Sequence, residues 1–235
     1  MQLRRELRIA GIVYPTAKED VRLDLRSPGR GNFTIQGETL PNEDVNLVQF
    51  RLGYPKLGPY HLLFNGYVER IEPIDKRHAI IFCRELTGIL RHDIRFALRH
   101  VTLREILAKV SALTGLTFVT PDTEYANRKL PTVYSMGTGY NLMDTIGKTL
   151  AIPRYLWQLE SDGKVFVGSW ADSYWANRQI TIPDKVLTAH HSNNTVRFAA
   201  IPALRPGVRM NNRYVQRLRF SGDEMEIQWT KQYWH

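Results

Sequence analysis

The stretch Val21-Arg22-Leu23-Asp24-Leu25-Arg26, then Ser27-Pro28-Gly29-Arg30-Gly31, then Asn32-Phe33-Thr34-Ile35-Gln36, decides the fold class. Apolar and polar side chains alternate in it with a period of two, which is the pattern of a strand with one buried face. The serine, proline and glycines cut it into two strands. Outward from there, Val45 to Leu52 alternates again and stops at Gly53-Tyr54-Pro55. Tyr60 to Ile71 is the longest strand-like piece, with Leu62, Phe64, Gly66 and Val68 on one side. Gly66 inside it predicts a bulge or a close approach of backbone. Asp75-Lys76-Arg77 turns the chain, and His78-Ala79-Ile80-Ile81-Phe82-Cys83 returns. Short strands at this spacing predict a small barrel or sandwich over residues 1–92.

The period then changes. Thr102-Leu103-Arg104-Glu105 is a capping box, and Leu103, Ile106, Leu107, Val110 and Leu113 follow it at helical spacing up to Gly115. A strand follows at Leu116-Thr117-Phe118-Val119. Asn141 with Asp144 starts a second helix carrying Leu142, Ile146 and Leu150, ended by Pro153. Tyr155 to Leu159 and Lys164 to Val167 flank Ser161-Asp162-Gly163, a hairpin signal. Strand spacing resumes at Thr195, and the Asn211-Asn212 and Ser221-Gly222-Asp223 turns predict a three-stranded meander. The fold class read from these segments is α+β, mainly β. Two small β-barrel-like blocks, 1–92 and 172–235, flank a small α/β unit with two helices, 93–171.

The chain has 235 residues, enough to bury a core without staples, and its 43% hydrophobic content excludes general disorder. No run approaches a membrane-spanning length, and the charged start is too short in apolar residues for a signal peptide. The net charge of +9 is spread, with surpluses of +4, +1 and +4 in residues 1–100, 101–170 and 171–235. Arginine outnumbers lysine 23 to 9, which suits planar contacts with carboxylates, phosphates or aromatic rings. Nucleic acid or acidic protein partners both fit that balance.

Residues that could carry chemistry do not assemble into a catalytic pattern. Histidines 61, 78, 92, 100, 190, 191 and 235 show no metal-ligand spacing. Cys83 is the single cysteine, which excludes an internal disulfide, sets a reducing cytoplasm as the default, and reads as a small buried hydrophobe mid-strand. Gly29-Arg30-Gly31 and Gly137-Thr138-Gly139 are too short for phosphate fingerprints and read as turn and cap. No catalytic, cofactor-binding or metal residue is assigned. Trp170, Tyr174 and Trp175 near Arg178, with Arg213, Arg217 and Arg219, could make a single-strand-binding barrel. Those three arginines also face Asp223, Glu224 and Glu226 across a turn, which reads as cross-strand pairing.

Several segments, taken in order, resemble the baseplate hub, or tail-tip hub, proteins of tailed bacteriophages of the late-control D type. They are Val48 to Tyr54, Leu63-Phe64-Asn65-Gly66-Tyr67-Val68-Glu69, Arg84-Glu85-Leu86 through Arg91, and Thr102 to Leu107 with Thr114-Gly115-Leu116. Tyr155-Leu156-Trp157, Val167 to Ser173, and Pro202-Ala203-Leu204-Arg205-Pro206-Gly207-Val208 complete the series. The resemblance implies a structural, non-enzymatic protein of the virion tail tip, assembled in the host cytoplasm. Three copies would close the distal end of the tail tube, each giving two tube-like barrels that match a six-fold ring. Implied partners are the tail tube or distal tail protein, the tape-measure protein and the central fibre or tip proteins. DNA would meet it only in passage, and no membrane anchoring is implied. The arginines are then expected mainly on the outer wall and on surfaces meeting acidic neighbours. The alternative is a single-stranded nucleic-acid-binding barrel protein.

Overall fold

Alternating patterns in the N-terminal block give the strands β1 (Arg4–Ile9), β2 (Ile12–Tyr14), β3 (Thr16–Asp24), β4 (Arg30–Gln36), β5 (Leu47–Gly53), β6 (His61–Pro73) and β7 (His78–Glu85). The middle carries β8 (Phe96–Val101), α1 (Leu103–Thr114), β9 (Phe118–Val119), α2 (Glu124–Asn127), β10 (Leu130–Ser135), α3 (Gly139–Thr149), β11 (Tyr155–Leu159) and β12 (Val165–Ser169). The C-terminal block adds β13 (Gln179–Ile180), β14 (Ala189–His191), β15 (Thr195–Ala199), β16 (Arg209–Met210), β17 (Arg213–Ser221) and β18 (Glu224–Thr230). The computed structural model describes residues 2–41, 47–183, 189–191 (by backbone) and 194–232.

The α+β, mainly β class holds, but the separation of two β blocks does not. Among the described residues the order is β14-β15-β18-β17-β3-β4-β7-β6-β5-β1-β2, with β16 on β17 and β13 on β16. The joint is the antiparallel pair β17–β3, where Leu218 lies opposite Leu23 and Phe220 opposite Val21. A three-stranded meander has an unpaired edge, and β3 supplies the ladder hydrogen bonds that edge needs. Accordingly the described residues up to Leu86 and from Arg178 onward form one compact unit, and Thr87–Asn177 form the other. The end strands β14 and β2 do not pair with each other, so the sheet is not a closed barrel.

The sheet is nevertheless rolled. Phe50 on β5 and Phe220 on β17 are five strands apart in the order, yet their rings are 5.7 Å apart. Phe33 sits 5.1 Å from Phe50 and 6.1 Å from Phe64, and all four phenylalanines are fully buried. Leu7, Ile9, Ile35, Leu52, Ile81 and Ile227 fill the same interior. Each such side chain stabilises the fold by roughly 1.5–3 kcal/mol relative to exposure. Polar contacts also cross the roll: the Tyr54 hydroxyl donates to the Ala200 carbonyl at 3.0 Å, and Arg5 bridges Glu19 and Asp223. Gly66 meets its expectation, since a Cβ there would stand 2.1 Å from the Arg84 carbonyl oxygen.

In the second unit, α1 starts on the expected capping box, with the Thr102 side chain and Glu105 satisfying each other's backbone amides, and stops at Gly115 in the left-handed region. The next long helix starts earlier than the expected Asn141: Thr138, within the segment read as turn and cap, caps it by accepting from the Asn141 amide. Gly139 allows this, because a Cβ there would lie 2.8 Å from Leu90 and Ile94 side-chain atoms. The short α2 and the antiparallel pair β8–β10 carry no clear periodicity and were not expected. β11 and β12 form the expected hairpin, and β9 joins β12 in parallel.

Candidate assembly surface

The residue types able to carry chemistry fall apart in space. Cys83 faces the interior of β7, and burial, reinforced by Glu69, pushes its thiol far above the ordinary range. A buried neutral thiol is inert. His78 is tied to the Asp75 carboxylate at 2.9 Å, while His61, His92 and His100 are exposed. His235 and the side chains of His190 and His191 lie outside the described residues. No group of three metal-ligating side chains occurs among the described residues. Trp170 is buried, so it offers no stacking face, and Tyr174 meets Trp175 edge to face at 4.8 Å. Arg213 lies over the buried Trp229 ring, 5.0 Å from its centroid.

The polar chemistry of the larger unit is organised at two places. The first is an interior clamp. Arg205, in the loop after β15, donates to Glu85 at 3.0 Å and to the Leu63 carbonyl at 2.7 Å. The Gly29 amide donates to the other Glu85 oxygen at 2.6 Å, and the Glu85 amide returns a bond to the Gly29 carbonyl. A side chain at position 29 would stand 2.8 Å from the Glu85 carboxyl, so only glycine brings its amide this close. Burial pushes the Glu85 carboxyl upward, opposed by the Arg205 charge and by the hydrogen bonds from Gly29 and Arg205. This clamp was missed in the sequence. The signal lay in the resemblance itself, because Leu63, Glu85 and Arg205 each belong to one of the segments that carry it.

The second is the outward face of the sheet. Its registers place Arg219 opposite Arg22, Arg22 opposite Arg30, and Arg30 opposite Arg84, giving one row of four arginines across β17, β3, β4 and β7. Asp20 receives both Arg22 (2.7 Å) and Arg219 (3.0 Å), and Glu69 receives Arg84 (3.0 Å). Burial works to raise the Asp20 carboxyl, but hydrogen bonds and charge from the two arginines outweigh it, leaving it below the ordinary range. Arg217 pairs with Asp24, and Arg197 pairs with Glu226 and Glu224. The expected pairing of Arg217 and Arg219 across their own turn is therefore corrected. These arginines reach to β3 because a central strand has a partner on each side, and β18 gives its carboxylates to β15.

In the second unit the outer side chains of β8 and β10 are exposed, Tyr134 at 67%. A groove of about 210 Å³ runs beside them, lined by Val133, Met136, Leu142 and Ile146.

This is the fold of phage tail proteins, a conclusion that agrees with the resemblance read from the sequence. The structure matches the 43 kDa tail protein of prophage MuSo2 from Shewanella oneidensis with a TM-score of 0.74 and 12% identity, covering 98% of both chains. A tail protein from Neisseria meningitidis MC58 matches with a TM-score of 0.66 and 14% identity over 97% of this chain and 96% of that one. The E. coli c3393 protein, a component of the type VI secretion system with structural similarity to T4 bacteriophage tail proteins gp27 and gp5, matches with a TM-score of 0.64 and 14% identity. That match covers 97% of this chain and 77% of the other. In sequence, the chain is 30% identical over 226 residues to a Haemophilus phage HP1 protein described as an uncharacterized 58.7 kDa protein in the lys 3′ region. The alignment takes in 95% of this chain and 41% of the length of that relative. No protein-family model matches the chain.

Proposed function

We propose that the protein is a structural hub of a phage tail tip, closing the distal end of the tail tube and joining it to tip and fibre proteins. The observation that carries this reading is the end-to-end correspondence with a prophage tail protein, 98% of each chain at a TM-score of 0.74. The working state is a homotrimer that seats on the six-fold tube. Closed symmetry then requires each subunit to offer two comparable surfaces, and the sheet has one stretch from the N-terminal strands and one from the C-terminal strands. No reaction is assigned: the buried pair Glu85 and Arg205 is held within a clamp, and Cys83 is sealed inside the fold.

The test is genetic and microscopic. Deleting the coding sequence from the phage or prophage genome that carries it and following a lytic cycle should yield filled heads and no mature tails, with complementation restoring plaques. Normal tails and normal titre in the deletion would contradict the reading.

A further inference from the structure

We propose that the row Arg219–Arg22–Arg30–Arg84 is a docking surface for an acidic protein segment that sets carboxylates over Arg22 and Arg30. The register puts these four residues directly opposite one another on adjacent strands. Like charges in that position destabilise a sheet. Asp20 is shared between Arg219 and Arg22, and Glu69 relieves the Arg84 end, so two carboxylates stand against four arginines. Arg30, exposed at the centre, has no ion pair among the described residues. The unbalanced positive charge thus lies in the middle of the row, where a partner's carboxylate would complete the alternation.

The dimensions favour an extended acidic peptide. Adjacent strands are ~4.8 Å apart, so the row is ~14 Å long, and alternate side chains of a partner strand stand ~7 Å apart. Two or three carboxylates on one face of such a strand would reach guanidinium groups, which bind them two-pronged. A nucleic-acid backbone fits less well. Its negative charge runs unbroken along the strand. The flanking positions hold Glu224 and Asp20 on one side and Asp24 on the other, so a continuous polyanion would meet carboxylates as well as arginines. A second copy of this chain, itself at +9, is a poor source of the acidic segment. The hub reading says only where such a partner would be found; the binding chemistry stands without it.

The experiment uses the whole chain in solution and two fluorescent probes of equal charge, a peptide of alternating Glu and Ser and a single-stranded oligothymidylate. Anisotropy at physiological salt should show the peptide bound more tightly. Arg30→Glu should weaken peptide binding about tenfold or more, the size of one lost charge-assisted contact. Arg30→Ala should weaken it less, and Arg99→Glu, a matched charge reversal on β8, should leave it unchanged. Circular dichroism should be the same for all variants and no Arg30 variant should melt lower than wild type, since the Arg30 side chain is exposed and its removal relieves like-charge repulsion. Equal peptide affinity in wild type and Arg30→Glu, or no peptide binding at all, would overturn the proposal. So would tighter oligothymidylate binding that Arg30→Glu abolishes, which would make the row a nucleic-acid surface. None of these solution results depends on whether the chain is found in a tail.

Discussion

Two ion pairs of the larger unit share one closest approach and little else. Arg205 meets Glu85 at 3.0 Å with side chains 8% and 7% exposed, whereas Arg219 meets Asp20 at 3.0 Å with side chains 47% and 14% exposed. The buried pair is further bonded to the backbone, Glu85 to the Gly29 amide and Arg205 to the Leu63 carbonyl. The outer pair shares its carboxylate with Arg22 and faces water. Burial makes the first a fixed part of the architecture, because neither partner can be removed without stranding the other. Solvent makes the second exchangeable, worth little to the fold and open to competition from a partner. Distance alone would have ranked them equal.

Breaking this contrast should give effects of very different size. Arg205→Ala strands the Glu85 carboxylate and should cost about 3–5 kcal/mol in denaturant unfolding. Replacing Glu85 and Arg205 together by apolar residues should cost much less than either single change. Equal losses for single and double changes would mean that the clamp contributes by its packing. Phe220→Ala, which removes the ring bridging β17 to Phe50 on the far side of the roll, should likewise cost about 3–5 kcal/mol. That variant also tests whether the two terminal blocks unfold together: one shared transition is expected, and a C-terminal transition separate from the N-terminal one would contradict a common sheet. In the other unit, Thr102→Ala removes the cap of α1 and should cost about 1 kcal/mol.

How much of this could be read in advance follows from the range of the forces involved. The strands around 21–36, the α1 capping box and the Gly163 hairpin are local, set by alternation, capping and turn chemistry within a few residues, and all were legible. The β17–β3 pairing joins residues 190 or more apart, and nothing in either strand names its partner. The same limit hid the clamp, since Glu85 and Arg205 are 120 positions apart and each looks like an ordinary surface charge. Arg217 and Arg219 were assigned to the nearest acids in sequence, but they bind the acids of the neighbouring strand in space. Gly137-Thr138-Gly139 was legible as turn and cap, but the helix start was set three residues late because Asn141 and Asp144 offered a stronger local signal than the tight packing that seats Gly139.

The smallest expected effect is at the outer pair. Asp20→Asn should cost under about 1 kcal/mol at neutral pH. Because its folded pKa is lowered, the Asp20 contribution is complete at neutral pH and is lost as the pH falls through the folded value, below the ordinary aspartate range. The stability difference between wild type and Asp20→Asn should therefore shrink on acidification. A difference that grows in acid would reverse the sign of the shift.

The measurement that bears most directly on the proposed role is a three-dimensional reconstruction of the tail tip from purified particles. Three copies of this chain should encircle the tube axis, each with its N-terminal and C-terminal strands in one continuous sheet and with the Arg22–Arg30 row against an acidic neighbour. A tip lacking this chain, or a ring containing six copies of it, would contradict the trimeric hub.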